Sequence, residues 1–77
     1  MITEQQFLTK RITMLPRRGA EKEHTWMVIE SDLPEAWLVG KPRAVVRTYS
    51  DLKTGYTWTF NVRWMKGRAC PVLRVYR

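Results

Sequence analysis

Three arginines, Arg47, Arg63 and Arg74, fall in three successive segments whose apolar and polar residues alternate. Successive side chains of a strand point to opposite faces, so each segment reads as a β-strand. Arginines sharing one face of such strands would stand about 4.8 Å apart from strand to strand. A row of guanidinium forks suits phosphate oxygens or the O6/N7 edge of guanine, which each fork takes bidentately. Beside them lie Asn61, suited to adenine, the short polar Thr57 and Thr59, and Tyr49 and Tyr76, which stack or hydrogen-bond. Lys53, Lys66 and Arg68 fall in the flanking turns, placed to clamp a nucleic-acid backbone. The expected site is thus Arg47, Tyr49, Lys53, Asn61, Arg63, Lys66, Arg68, Arg74 and Tyr76. A solvated face kept for solubility has a similar composition and is the competing reading.

Other chemistry is thinly represented. His24 is the one histidine and has no cysteine neighbour. Cys70 is the one cysteine, which excludes an intrachain disulfide and a cysteine-based zinc site. The carboxylates are scattered, and Cys70 has no nearby base in the sequence. No enzyme, metal or cofactor is expected.

The charge supports a polyanionic partner. The chain carries +7 overall. Residues 1–38 hold five basic side chains against six acidic ones, a net of −1. Residues 39–77 hold nine basic ones against Asp51 alone, a net of +8. Asymmetry of this kind suggests nucleic acid. The N-terminal stretch lacks a basic region followed by an apolar run, and nothing approaches the roughly 18 apolar residues of a membrane span. A cytoplasmic protein without membrane contact is expected.

The 77 residues are expected to form one domain. Such a domain buries only about 60–65% of the surface its unfolded chain exposes, so monomer and homodimer are both open. Thr3-Glu4-Gln5-Gln6 has the capping-box form, and Phe7, Leu8, Arg11, Ile12 and Leu15 follow helical spacing. A helix over about 4–13 is expected, within an N-terminal unit 1–15 that Pro16 closes; a strand over Arg11–Leu15 is the alternative. Residues 16–24 read as a polar loop. In 25–42, Thr25 to Glu30 reads as a strand apolar on both faces, hence an inner strand or one covered by the helix, and Asp32-Leu33-Pro34-Glu35 as the start of a helical turn around Trp37, with Asp32 as its cap. A basic three-strand meander fills 43–77, with turns at 51–55 and 66–68. Pro71 places the last strand at a sheet edge.

Alternation divides the meander into two faces. The expected core set is Ala44, Val46, Thr48, Tyr56, Trp58, Phe60, Val62, Trp64, Pro71, Leu73 and Val75. The expected outward set is Val45, Arg47, Tyr49, Thr57, Thr59, Asn61, Arg63, Cys70, Val72, Arg74 and Tyr76. Gly55 to Phe60 shares alternating aromatics with the RNA-stacking strand of RRM domains, but the match fails. Lys53 stands one residue too far from the glycine, threonines occupy the small and aliphatic positions, and the chain is too short for two full helices.

The fold class expected is α+β, an N-terminal helix on a largely antiparallel sheet of about four strands. A five-stranded barrel of OB or SH3 type is the alternative. The function expected is a small non-enzymatic nucleic-acid-binding accessory or regulatory protein, DNA rather than RNA, acting through a basic sheet face. The other expectation is a protein-binding modulator or inhibitor. Size and lack of motif suit a phage or mobile-element protein.

Overall fold

A computed structural model of the chain describes residues 2–15 and 23–77. Helix α1 spans Glu4–Thr13, as its caps dictate. The Thr3 hydroxyl accepts from the Gln6 amide and the Gln6 side chain accepts from the Thr3 amide. This reciprocal pair satisfies two donors at the start of the helix. Glu4 in the first turn and Lys10 and Arg11 in the last are favourable to the helix dipole. Phe7 and Leu8 are buried, and Ile12 packs beside them on the same face.

Four strands follow: β1 (Glu23–Met27), β2 (Ala44–Ser50), β3 (Thr57–Arg63) and β4 (Val72–Tyr76). They form one antiparallel sheet in the order β1-β4-β3-β2. The sheet is open and the helix packs on it, the α+β arrangement expected rather than the barrel. Two short 3-10 turns, Glu30–Asp32 and Glu35–Trp37, lie in the connection that carries the chain from the β1 edge to the β2 edge. Trp37 is buried there, edge-on to Phe7 at 5.1 Å. Gly55 and Gly67 hold φ of 77° and 82° in the two turns of the meander, a conformation side chains rarely adopt.

Strand order departs from the reading of Pro71. That proline precedes β4, so its missing N–H costs the ladder nothing, and its carbonyl accepts from the Val28 amide at 3.1 Å. β4 is therefore internal, and β1 is an edge strand, which removes the inner position, one of the two expected for it. Asp32 ends the first 3-10 turn instead of capping the second, which Pro34 precedes. The loop expected over 16–24 lies outside the described residues as far as residue 22, and Glu23 and His24 open β1.

The register corrects one strand's faces. Phe60 pairs with Val75 on one side and with Arg47 on the other, and Val62 pairs with Leu73 and Val45. The core face of β2 is therefore Val45, Arg47 and Tyr49, the set expected outside. Ala44, Val46 and Thr48, expected inside, lie beside Arg63, Asn61 and Thr59 on the open face. The assignments for β3 and β4 stand. Trp58 is 7% exposed and Phe60 wholly buried, while Arg63 is exposed. Trp64 is only half-buried, and Tyr56 is 41% exposed.

Arg47 lies on the core face because it stands at its margin. The row His24, Val75, Phe60, Arg47 runs from edge to edge with apolar residues at its centre and polar ones at both ends. At the β2 end the guanidinium reaches the helix start and pairs with Glu4 at 2.5 Å. The same Glu4 oxygen accepts from the Trp37 indole Nε1 at 2.8 Å. One carboxylate thus ties the helix start to the edge strand and to the connection. The ion pair is well exposed and contributes little, whereas the part-buried indole bond contributes more. Glu4→Ala is expected to lower stability by about 1–2 kcal/mol, read as a lower thermal midpoint, because it leaves the indole N–H unpaired. Glu4→Gln, which keeps an acceptor, is expected to recover most of that loss.

Candidate nucleic-acid interface

The open face of the sheet is built in rows. Glu23, Tyr76, Thr59 and Thr48 form one, Thr25, Arg74, Asn61 and Val46 the next, and Met27, Val72, Arg63 and Ala44 the third. Four expected site residues, Asn61, Arg63, Arg74 and Tyr76, do share this face. Arg74 is already engaged: its Nε and Nη2 meet the two Glu23 carboxylate oxygens at 2.7 and 3.0 Å, and its guanidinium lies 4.8 Å over the Tyr76 ring. The Asn61 Oδ1 is closed off from solvent and has no hydrogen-bond partner among the described residues. With Glu23 cancelling Arg74, Arg63 is the one charge of these three rows without an ion-pair partner among the described residues. Met27 and Val46, 55% and 52% exposed, make much of the rest apolar. A face of this kind offers few contacts to phosphates.

The other expected residues are dispersed. Arg47 is held by Glu4 on the covered face, and Tyr49 lies there opposite Trp58, half-buried against the core. Neither belongs to an outward site. Lys53 stands in the β2–β3 turn, at the end of the sheet opposite Lys66 and Arg68. Lys66, Arg68 and Arg63 remain together, around the β3–β4 turn.

That end of the sheet gathers more than the sequence pointed to. Beyond β3, the Trp64 amide bonds to the Arg43 carbonyl at 3.0 Å, so the β2–β3 pairing continues one step and sets Arg43 beside Trp64. The Trp64 indole Nε1 donates to Glu30 Oε1 at 2.7 Å. A cavity of about 490 Å³ is lined by Glu30, Leu38, Lys41, Pro42, Arg43 and Trp64. A second, of about 330 Å³, is lined by Ile29, Glu30, Trp64, Met65, Arg68, Ala69, Cys70 and Pro71. Trp64 and Glu30 form their common wall.

Among the described residues, cations distinguish this end from the rest. Arg47 and Arg74 are ion-paired, Arg11 lies over the Phe7 and Trp26 rings, and Arg77 lies 4.1 Å over Tyr56. Burial lowers the pKa of Arg11, and Asp32 opposes that shift. Lys41, Arg43, Arg63, Lys66 and Arg68 have no side-chain partner among the described residues. Lys10 and Lys53 stand singly elsewhere. Sequence reasoning missed Lys41 and Arg43 and placed Trp64 in the core. The signal available was Trp64's position as the last aromatic residue before the Lys66-Gly67-Arg68 turn, where a strand outruns its cover.

Among the described residues no three His, Cys, Asp or Glu side chains gather as a metal set, and no helix is long and apolar enough to cross a membrane. No family model matches the chain, and neither a curated protein nor a solved structure matches it at a significant level.

Proposed function

We propose that the chain is a small non-enzymatic nucleic-acid-binding protein, an accessory or regulatory factor whose contact surface is the basic end around Trp64. The observation that carries this reading is that five cations without side-chain partners among the described residues, Lys41, Arg43, Arg63, Lys66 and Arg68, fall at the one end of the sheet that carries the half-exposed Trp64 indole. Exposed cations at close quarters repel one another, and a polyanion relieves that repulsion while releasing its own counterions. Aromatic surface among such cations favours a base over a bare anion. The expected site on the sheet face gives way to this end, with Arg63, Lys66 and Arg68 common to both.

Binding driven by phosphates weakens steeply with salt. In a titration of a labelled oligonucleotide, log affinity is expected to fall linearly with log salt, at about −0.7 per neutralised phosphate for a single strand and about −0.9 for a duplex. Absence of binding at low salt contradicts the reading. The alternative is then a protein partner, for which exposed Ile29 and Met65, which line one of the same cavities, supply apolar contact. Capture of that partner from a nuclease-treated lysate separates the two.

A further inference from the structure

We propose that the ligand of the basic end is a single strand, with Trp64 as the platform on which one unpaired base stacks. This rests on the nucleic-acid reading above and narrows it. The bond from Nε1 to Glu30 fixes the indole plane and satisfies its N–H, so what the ring presents to the cavities is its apolar surface. Base stacking needs such a surface and tolerates any base, because every base has a π-face. The two cavities on either side of the shared wall, about 490 and 330 Å³, are in the size range of small-molecule sites. Lys41 and Arg43 line the larger and Arg68 the smaller, so phosphates flanking the stacked base meet charge on both sides.

A duplex does not meet these requirements. Its bases present only edges to a protein, and their faces are covered by their neighbours in the stack. Trp64 lies between cavities at the end of the sheet and belongs to no helix or ribbon able to enter a groove. The open sheet face, which has the shape of a ribbon, carries little net charge. An acidic peptide also meets the cations, but its carboxylates offer the indole no π-face to stack on.

The test is fluorescence anisotropy at low salt with labelled oligothymidylate, oligouridylate and a duplex of equal length. The expected result is at least about tenfold tighter binding of one or both single strands than of the duplex, since the duplex meets the cations alone. Trp64→Leu, which keeps apolar bulk without the π-face, is expected to lose about ten- to a hundredfold for the single strand and less than about threefold for the duplex. Circular dichroism establishes that this variant folds. Should it not fold, Lys41→Ala with Arg43→Ala serves instead, both residues being exposed, and is expected to weaken the single strand more than Lys53→Ala at the opposite end. Equal affinity for single strand and duplex, with Trp64→Leu or the Lys41/Arg43 pair no worse than Lys53→Ala, overturns the single-strand site and leaves nucleic-acid binding standing. Absence of binding to all three overturns both.

Discussion

Replacing Phe60 by alanine is expected to lower stability by about 3–5 kcal/mol. Phe60 is wholly buried on the central stretch of β3, between Val75 and Arg47 and within the cluster that holds Phe7, Trp37 and Val45. The loss combines the transfer of an aromatic ring to water with the cavity left among neighbours that relax only in part. A chain this small has a total stability of about 5–15 kcal/mol at most, so the variant is expected to be largely unfolded well below the parent's thermal midpoint. Denaturant titration followed by circular dichroism measures it. Thr59→Ala, one residue away on the open face, is expected to change stability by about 0.5 kcal/mol or less. A comparable loss at both positions contradicts the assignment of faces in β3.

The largest expected effect on binding comes from removing Lys41, Arg43 and Arg68 together. At about 1 kcal/mol for each charged contact, the triple alanine variant is expected to bind a single strand on the order of a hundredfold more weakly at low salt. Its log–log salt slope is expected to be shallower by about 2, three phosphates fewer at about 0.7 each. All three residues are exposed, so the thermal midpoint is expected to hold or to rise slightly as repulsion among the cations falls. Binding unchanged while Arg74→Ala weakens it instead places the contacts on the sheet face. Arg74→Ala is expected to do little, since Glu23 already holds that guanidinium at both oxygens.

Where local chemistry is decisive, the sequence is enough. Thr3 and Gln6 mark the helix start because a capping box needs those side chains at that spacing, and Gly55 and Gly67 mark turns because other residues are strained at their φ. The alternation in β3 identifies its buried face because the polar set is unbroken: Thr57, Thr59, Asn61, Arg63. β2 has no such contrast. Val45 and Val46 point to opposite faces, so the apolar pattern does not fix the phase. The phase is fixed by long-range pairing, which sets Val45 against Val62, and by the Glu4 carboxylate, which compensates Arg47 on the covered side. Sequence distance hides both. The strand order was misread for a related reason, since Pro71 forbids a donor only at its own position and that position precedes the ladder.

The candidate site was legible as a charge excess and not as a place. Nine cations in the second half point to a polyanion as the proposed ligand. Which of them are free depends on where Glu4 and Glu23 fall, thirty or more residues away in sequence, and these neutralise Arg47 and Arg74. The cavities around Trp64 depend on the connection between β1 and β2, which brings Glu30, Leu38 and Lys41 to the end of β3. Apolar alternation alone assigned Trp64 to the core, because it continues the parity of Trp58, Phe60 and Val62 without showing that the cover has ended.

The central claim is that Trp64, and not the sheet face, meets the ligand. Nitrogen-edited NMR spectra of the protein during titration with a short single strand test it directly, because each of the four tryptophans carries one indole N–H to follow. The expected result is a progressive shift of the Trp64 indole signal, with the backbone amides of Lys41, Arg43 and Arg68, while the buried Trp37 and Trp58 signals stay in place. Shifts that follow Thr25, Thr59, Asn61 and Arg74 while the Trp64 indole remains fixed contradict the claim and return the site to the open face.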